Sequence, residues 1–141
     1  MCSSDLIAIN PTLYVNPGYE PRKDLAPIGL ISSTPIVLMA HPSAPEHTLA
    51  EVIANARKNP GTLNIGTPPP GTSANLAAEL FKSMAGIDYT IVTYRGTGPL
   101  TTDVLGGHVM FALNVLAPAM SHLKAGTLKA IAVLEIGRAH V

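Results

Sequence analysis

The stretch that decides the fold is Gly66-Thr-Pro-Pro-Pro-Gly71-Thr-Ser-Ala-Asn-Leu-Ala-Ala-Glu79, which joins a short apolar run to a periodic one. Residues 63–66 have the pattern of a strand, and residues 73–85 repeat apolar side chains at helical spacing. Three prolines fix φ and remove N–H groups early in the turn. The following Gly71-Thr-Ser73 lies where the first free amides of the helix point outward. The stretch therefore predicts a strand-to-helix turn that offers hydrogen-bond donors to a ligand.

Strands and helices alternate on both sides of this turn. Thr48-Leu-Ala-Glu51 is a capping box that begins a helix ending before Pro60. Residues 10–35 are rich in proline and leave little room for a helix. The alternation predicts right-handed βαβ units and an α/β fold, with an open, mostly parallel sheet flanked by helices. The other predicted elements are strands 28–32, 36–40, 89–93, 109–113 and 128–133, and helices 99–105 and 118–124.

The composition excludes several classes of protein. The formal net charge is zero and no block of Lys or Arg is present, so we expect no nucleic-acid partner. The longest weakly polar run, Val109–Met120, is interrupted by Asn114 and Pro118 and is too short to span a membrane. The first residues have neither a basic region nor a long apolar region, so we expect no signal peptide within this chain.

Motifs for catalysis and metal binding are missing from the sequence. The five histidines lack metal-ligand spacing, and neither G-x-S-x-G nor H-E-x-x-H occurs. The turn at 66–73 has no Gly-Lys-Ser/Thr sequence and no G-x-G-x-x-G, so a nucleotide is not expected there. We therefore expect no catalytic residues, no metal and no cofactor.

Three predicted βα turns, at 67–73, 94–98 and 114–118, are candidates for a binding site. In open α/β sheets, ligands bind at the carboxyl ends of the strands. The first turn combines amides, two hydroxyls and a helix N-terminus, which suit a carboxylate, phosphate or sulfate. A rigid turn without a ligand, with Thr72 as N-cap, explains the same residues. Arg95 in the second turn either closes over an acidic ligand or is exposed, and Asn114 either faces a crevice or caps the next segment.

Further motifs occur along the chain in a characteristic order. They are Asn10-Pro-Thr-Leu-Tyr14, Tyr19-Glu-Pro-Arg-Lys-Asp-Leu-Ala-Pro-Ile28, Ser33-Thr-Pro35, His41-Pro42, Leu63-Asn-Ile-Gly66, Gly71-Thr-Ser73, Leu80-Phe-Lys-Ser-Met-Ala-Gly86, Tyr94-Arg-Gly96, Leu105-Gly-Gly107 and Lys124-Ala-Gly126. Together these motifs resemble the substrate-binding proteins of tripartite tricarboxylate transporters, the TctC or Bug family. The resemblance covers roughly residues 7–134.

The resemblance implies a periplasmic binding protein of the type II class, in which two α/β lobes close on a small carboxylate and deliver it to membrane permease subunits. Residues 41–134 would form the second lobe, and residues 7–40 a remnant of the first lobe with a hinge strand near Thr34-Pro35. The ends, 1–6 and 135–141, resemble translated sequencing-adapter sequence, and we expect them to be foreign to the natural protein.

The resemblance also implies which residues bind the ligand. By position they are Gly71, Thr72 and Ser73, supported by Tyr94, Gly96 and Asn114. The chain departs from the family in having Pro68-Pro69-Pro70 instead of a small, flexible stretch, and Asn114 instead of the usual Asp. Since Asn114 cannot provide a negative charge for an ammonium group, we expect a ligand without an amino group, such as a di- or tricarboxylate or an aromatic acid.

Two alternatives for the function remain open at this point. One is a fragment of an α/β enzyme that binds a phosphorylated substrate at the 66–73 turn. The other is a ligand-sensing lobe that reports to a signalling partner instead of a permease.

Overall fold

A five-stranded sheet with helices between its strands forms the centre of the molecule. The computed structural model describes residues 4–26, 28–29 and 34–134. The strands are β1 (Ile36–Ala40), β2 (Asn64–Thr67), β3 (Thr90–Thr93), β4 (Phe111–Val115) and β5 (Lys129–Leu134). The helices are α1 (Ser4–Leu13), α2 (Pro21–Asp24), α3 (Leu49–Lys58), α4 (Ser73–Ala85), α5 (Thr97–Leu105) and α6 (Leu116–Lys124).

The sheet has the order β3-β2-β4-β1-β5. Strand β2 pairs in parallel with β3 and β4, whereas β1 pairs antiparallel with β4 and β5. Four strands therefore run in one direction and β1 runs in the other. The predicted α/β fold with a mostly parallel sheet is confirmed.

Helices cover both faces of the sheet, because alternate residues of each strand point to opposite sides. Leu38 faces α3 and α4, whereas its neighbour Met39 faces α5 and α6. All five residues of β1 are buried, which explains its uninterrupted apolar sequence. The α3/α4 side contains the larger cluster, which includes Val52, Ala56, Ile65, Ala74, Ala78, Phe81, Tyr89, Phe111 and Leu113.

Local signals begin and end the central helices. At α3, the Thr48 Oγ1 accepts from the Glu51 amide, and the Glu51 carboxylate accepts from the amides of His47 (2.7 Å) and Thr48 (3.2 Å). The hydrogen bond from the His47 amide, and to a lesser extent that from Thr48, lowers the pKa of the Glu51 carboxyl group. Helix α4 spans 73–85 as predicted and ends at Gly86, whose φ of 58° is in the left-handed region that glycine favours.

The prediction that residues 10–35 leave little room for a helix is wrong. Helix α1 includes Pro11, and α2 begins with Pro21 at its first position, where the missing N–H is not needed. Pro11 cannot donate to the carbonyl of Ile7, four residues earlier. The hydroxyl of Tyr19 donates to that carbonyl instead, at 3.1 Å.

Several other boundaries differ from the prediction. Helices α5 and α6 begin two residues before Pro99 and Pro118. Proline is tolerated there because the amides of the first helical turn have no acceptor within the helix, so the N–H group that proline lacks is not needed. Strand β4 begins two residues later than expected, at Phe111. In the predicted 28–32 strand, Ile28 and Gly29 are in no strand, and residues 30–32 lie outside the described part of the chain. Residues 1–3 and 135–141, which belong to the ends predicted to be foreign, also lie outside it.

Within the described ranges, no helix combines the length and the apolar character needed to cross a membrane.

Candidate functional site

Three βα turns meet at one edge of the sheet. Strands β3, β2 and β4 are neighbours and run parallel, so their carboxyl ends lie side by side. The first two turns are directly linked, because the Tyr94 amide donates to the Thr67 carbonyl at 2.9 Å. The amino end of β1 reaches the same edge, where the Leu116 amide donates to the Pro35 carbonyl at 2.9 Å. This edge therefore brings together the turns that the sequence singled out.

Gly66 allows α5 to approach β2 closely. An ideal Cβ on this residue would lie 2.5 Å from Leu100 Cδ1 and 3.3 Å from Tyr94 Cε2. Leu100 is completely buried, so its side chain has little room to move away. The absence of a side chain at Gly66 thus fixes where α5 and the Tyr94 ring lie over the sheet.

The turn before α4 is held by its own side chains. Gly71 is buried and has a φ of 87°, a conformation that L side chains rarely adopt. Thr72 is the N-cap of α4, because its Oγ1 accepts from the Asn75 amide at 3.4 Å. The same hydroxyl donates to the Pro69 carbonyl at 2.8 Å. Thr72 therefore shapes the turn, and its hydroxyl proton is already used within it.

The start of α4 also contains a buried polar pair that the sequence analysis did not identify. The Asn75 Nδ2 donates to the Thr67 Oγ1 at 3.0 Å, and both side chains are buried. This bond ties the end of β2 to the first turn of α4. The sequence contains a signal for this pair. Asn75 is a polar residue between apolar ones, three positions after the N-cap, where a side chain can face the preceding strand.

The second turn places an aromatic ring and a glycine at the edge. Tyr94 is half-buried, and its hydroxyl donates to Asp103 Oδ2 at 2.9 Å. Burial, together with this carboxylate, raises the pKa of Tyr94. Gly96 is the N-cap of α5, where no side chain caps the helix, and Arg95 is exposed. The hydroxyl of Tyr94 is therefore turned toward α5, and its partner Asp103 is another residue that the sequence analysis missed.

Asn114 is completely buried near the end of β4. Its Oδ1 accepts from the following amide, of Val115, at 2.9 Å, and α6 has no side-chain cap. Its Nδ2 has no hydrogen-bond partner among the residues that the structure describes. A buried donor without a partner costs about 1–3 kcal/mol, so an acceptor beyond the described residues would stabilise this amide group.

At the mouth of α4, the edge offers neutral donors. They are amides, hydroxyls and the N-terminus of the helix, with the partial positive charge of the helix dipole, whereas the second turn adds the exposed Arg95 and α5 adds the Asp103 carboxylate. In the described part of the chain, no group of three or more His, Cys, Asp or Glu side chains could hold a metal ion. The arrangement at the start of α4 is suited to binding an anion.

The chain is similar to proteins of one known family. The profile of the tripartite tricarboxylate transporter family receptors, TctC, matches residues 1–140. Protein BugT of Bordetella pertussis is 29% identical over 136 residues, which are 96% of this chain and 42% of BugT. The chain thus spans less than half the length of this relative.

Two solved structures share the fold. R. palustris Rpa4515 with adipate superposes with a TM-score of 0.82 at 32% identity, covering 94% of this chain and 44% of that one. The periplasmic binding protein BugD superposes with a TM-score of 0.82 at 27% identity, covering 95% of this chain and 45% of that one. Because the family profile matches nearly every residue, this chain belongs to the tripartite tricarboxylate transporter family receptors, the TctC family.

Proposed function

We propose that this chain is the ligand-binding part of a periplasmic receptor that captures a small carboxylate for a tripartite tricarboxylate-type transporter. The observation that carries the proposal is the convergence of three βα turns at one edge, in a chain of the TctC family. The full receptor would pass its solute to membrane permease subunits, without catalysing a reaction.

Ligand contacts in this proposal come from the edge. Gly71, Thr72 and Ser73 would bind the carboxylate at the mouth of α4, where the helix dipole favours a negative group. Since the hydroxyl and the amide of Thr72 both donate to the Pro69 carbonyl, at 2.8 and 3.3 Å, Thr72 would mainly shape the turn, and we assign the main role to the backbone of Gly71 and Ser73. The other contacts would come from Tyr94, Gly96 and Asn114.

The proposed division of the chain assigns residues 41–134 to one lobe and residues 7–40 to a strip of the other lobe and the hinge. The hinge strand of this division is β1, which pairs with β4 and β5 inside the sheet. Ile36 at its start pairs with Leu134 at the end of β5, so these two points of the chain lie side by side at the binding edge. Large apolar side chains before the hinge are exposed, as expected of a surface that needs a partner: Leu13, Tyr14, Val15, Leu25 and Ile28.

In this proposal, the affinity for the carboxylate comes from closure of the two lobes around it. A ligand that contacts both lobes stabilises the closed state by the difference between its contacts there and in the open state. We therefore expect the 141-residue chain alone to bind carboxylates only weakly. The full-length protein that the proposal implies should bind them tightly.

The identity of residue 114 restricts the class of ligand. An amide at this buried position can donate to a carboxylate oxygen but provides no charge for an ammonium group. A dicarboxylate without an amino group fits, as does the adipate bound by the similar protein Rpa4515.

Calorimetry on the full-length protein tests the proposal with matched pairs of ligands, succinate against aspartate and glutarate against glutamate. We expect saturable binding of at least one carboxylate, with each amine-free member bound more tightly than its amino acid. Failure of every small carboxylate to bind would contradict the proposed function, and preference for the amino acids would contradict the role of Asn114.

A further inference from the structure

A cavity lies at the edge of the sheet opposite to the three turns, where β2 and β4 begin. Its volume is about 250 Å³, below the roughly 300 Å³ at which pockets for drug-sized ligands start, so it suits a small molecule. Its walls come from segments far apart in sequence, and the polar residues that line it are Glu46, Asn55, Thr62, Asn64 and His108.

The carboxyl group of Glu46 is the unusual feature of this cavity. The residue is only 7% exposed. Its Oε1 accepts from Asn55 Nδ2, and the orientation of that amide is fixed because Asn55 Oδ1 accepts from Asn59 Nδ2 at 2.8 Å. The other oxygen, Oε2, is buried and has no hydrogen-bond partner in the described part of the chain. Burying a carboxylate with half of its acceptor sites unused is costly unless a cation meets it.

The cationic side chains that the structure describes do not fill this role. Lys129 contacts residues on either side of Glu46 in the sequence, because its Nζ donates to the Ala44 carbonyl at 2.8 Å and lies 3.4 Å from His47 Nδ1. The ion pairs among the described residues are Lys23–Glu20 and Lys82–Asp88. Glu46 is therefore a carboxylate without a cationic partner among the described residues, and it lines a cavity that has room for a small cation.

The other residues of the cavity favour an organic cation. The described residues provide no cluster of three His, Cys, Asp or Glu side chains that a metal ion would require. Thr62 and Asn64 carry oxygen atoms that can accept from a second N–H of the same group. Leu63, Val109 and Phe111 are buried residues of the wall and supply apolar surface for a short carbon chain.

We propose that this cavity binds a small primary ammonium ion, a short alkylamine or diamine, whose –NH₃⁺ group pairs with the carboxylate of Glu46. The site is at the other end of the sheet from the carboxylate edge and does not depend on the proposed function. Its ligand also has the opposite charge.

The test uses n-butylammonium chloride as the probe and the 141-residue chain, with potassium chloride and butan-1-ol as references for ionic strength and for size. At pH 8, calorimetry and thermal shift should show saturable binding of butylammonium that potassium and butan-1-ol do not reproduce. Equal effects of the three compounds on the wild-type chain would overturn the proposal, and this comparison needs no variant.

Two variants then locate the site. Glu46→Gln keeps an acceptor near Asn55 but removes the charge, and should weaken butylammonium binding by tenfold or more, about the effect of losing a charged hydrogen-bond partner. Glu79→Gln removes the same charge from an exposed position on α4 and should leave binding unchanged. Unchanged binding in Glu46→Gln, or an equal loss in both variants, would overturn the assignment to Glu46.

Discussion

Gly66→Ala is the substitution whose effect follows most directly from the geometry of the binding edge. The new Cβ would lie 2.5 Å from Leu100 Cδ1, well inside the 3.5–4.0 Å of an optimal carbon contact. Overpacking of a filled core costs about 1–3 kcal/mol. Alanine recovers about 0.4–1 kcal/mol by restricting the unfolded chain, since φ at Gly66 is not positive. The net expectation is a destabilisation of about 1–2 kcal/mol.

Urea unfolding followed by circular dichroism measures this loss, and the melting temperature should fall by about 3–7 °C for a chain of 141 residues. Gly98→Ala is the matched control, because its Cβ meets nothing within 4 Å and lies in helix α5. The control should be neutral or slightly stabilising.

A double-mutant cycle identifies the clash as the cause. Leu100→Ala removes the atom that the new Cβ meets, so Gly66→Ala should cost at least about 1 kcal/mol less in that background. A stable Gly66→Ala variant, or the same cost in both backgrounds, would refute the close approach of α5 to β2 and with it the placement of Tyr94.

Three further substitutions test the turns and caps. Thr72→Ala removes the N-cap of α4 and should cost about 1 kcal/mol in urea unfolding, whereas Thr72→Ser should recover most of it. Tyr94→Phe removes the hydrogen bond to Asp103 and should lower the free energy of unfolding by about 1–2 kcal/mol. An unchanged stability would contradict this hydrogen bond and indicate a phenol that is solvated. The pKa of Glu51 is lowered in the folded state, so its carboxylate stabilises the protein above the ordinary value of 4.5 and this contribution disappears as the pH falls through the lower folded value. The stability difference between wild type and Glu51→Gln should therefore be constant from pH 6 to 8 and shrink below pH 4.5, and a difference that persists at pH 2 would contradict the capping role.

Much of the fold could be predicted because its signals are local. The capping box at Thr48 and the stop at Gly86 depend on residues within one helical turn, so the sequence defines them without knowledge of the tertiary structure. The alternation of apolar runs then indicates the class of fold. Helix α1 could not be predicted in this way, because the carbonyl that Pro11 leaves open is satisfied by Tyr19, a residue outside the helix.

The site was only partly predictable, for the same reason. Thr72 is an N-cap in the structure, which was one of the two explanations of the turn that the sequence left open, and this cap is recognisable because its partner Asn75 is three residues away. The Thr67–Asn75 and Tyr94–Asp103 bonds were missed because each depends on how a helix packs against its preceding strand or turn. Burial of Asn114 likewise depends on the neighbouring strands of the sheet.

A crystal structure of the full-length protein with a bound dicarboxylate tests the central claim most directly. We predict one carboxylate oxygen within 2.7–3.2 Å of backbone nitrogens in Gly71-Thr-Ser73, at the amino end of α4. The Asn114 Nδ2 should face the same ligand. A dicarboxylate bound elsewhere, with those amides bonded only within the protein, would contradict the claim.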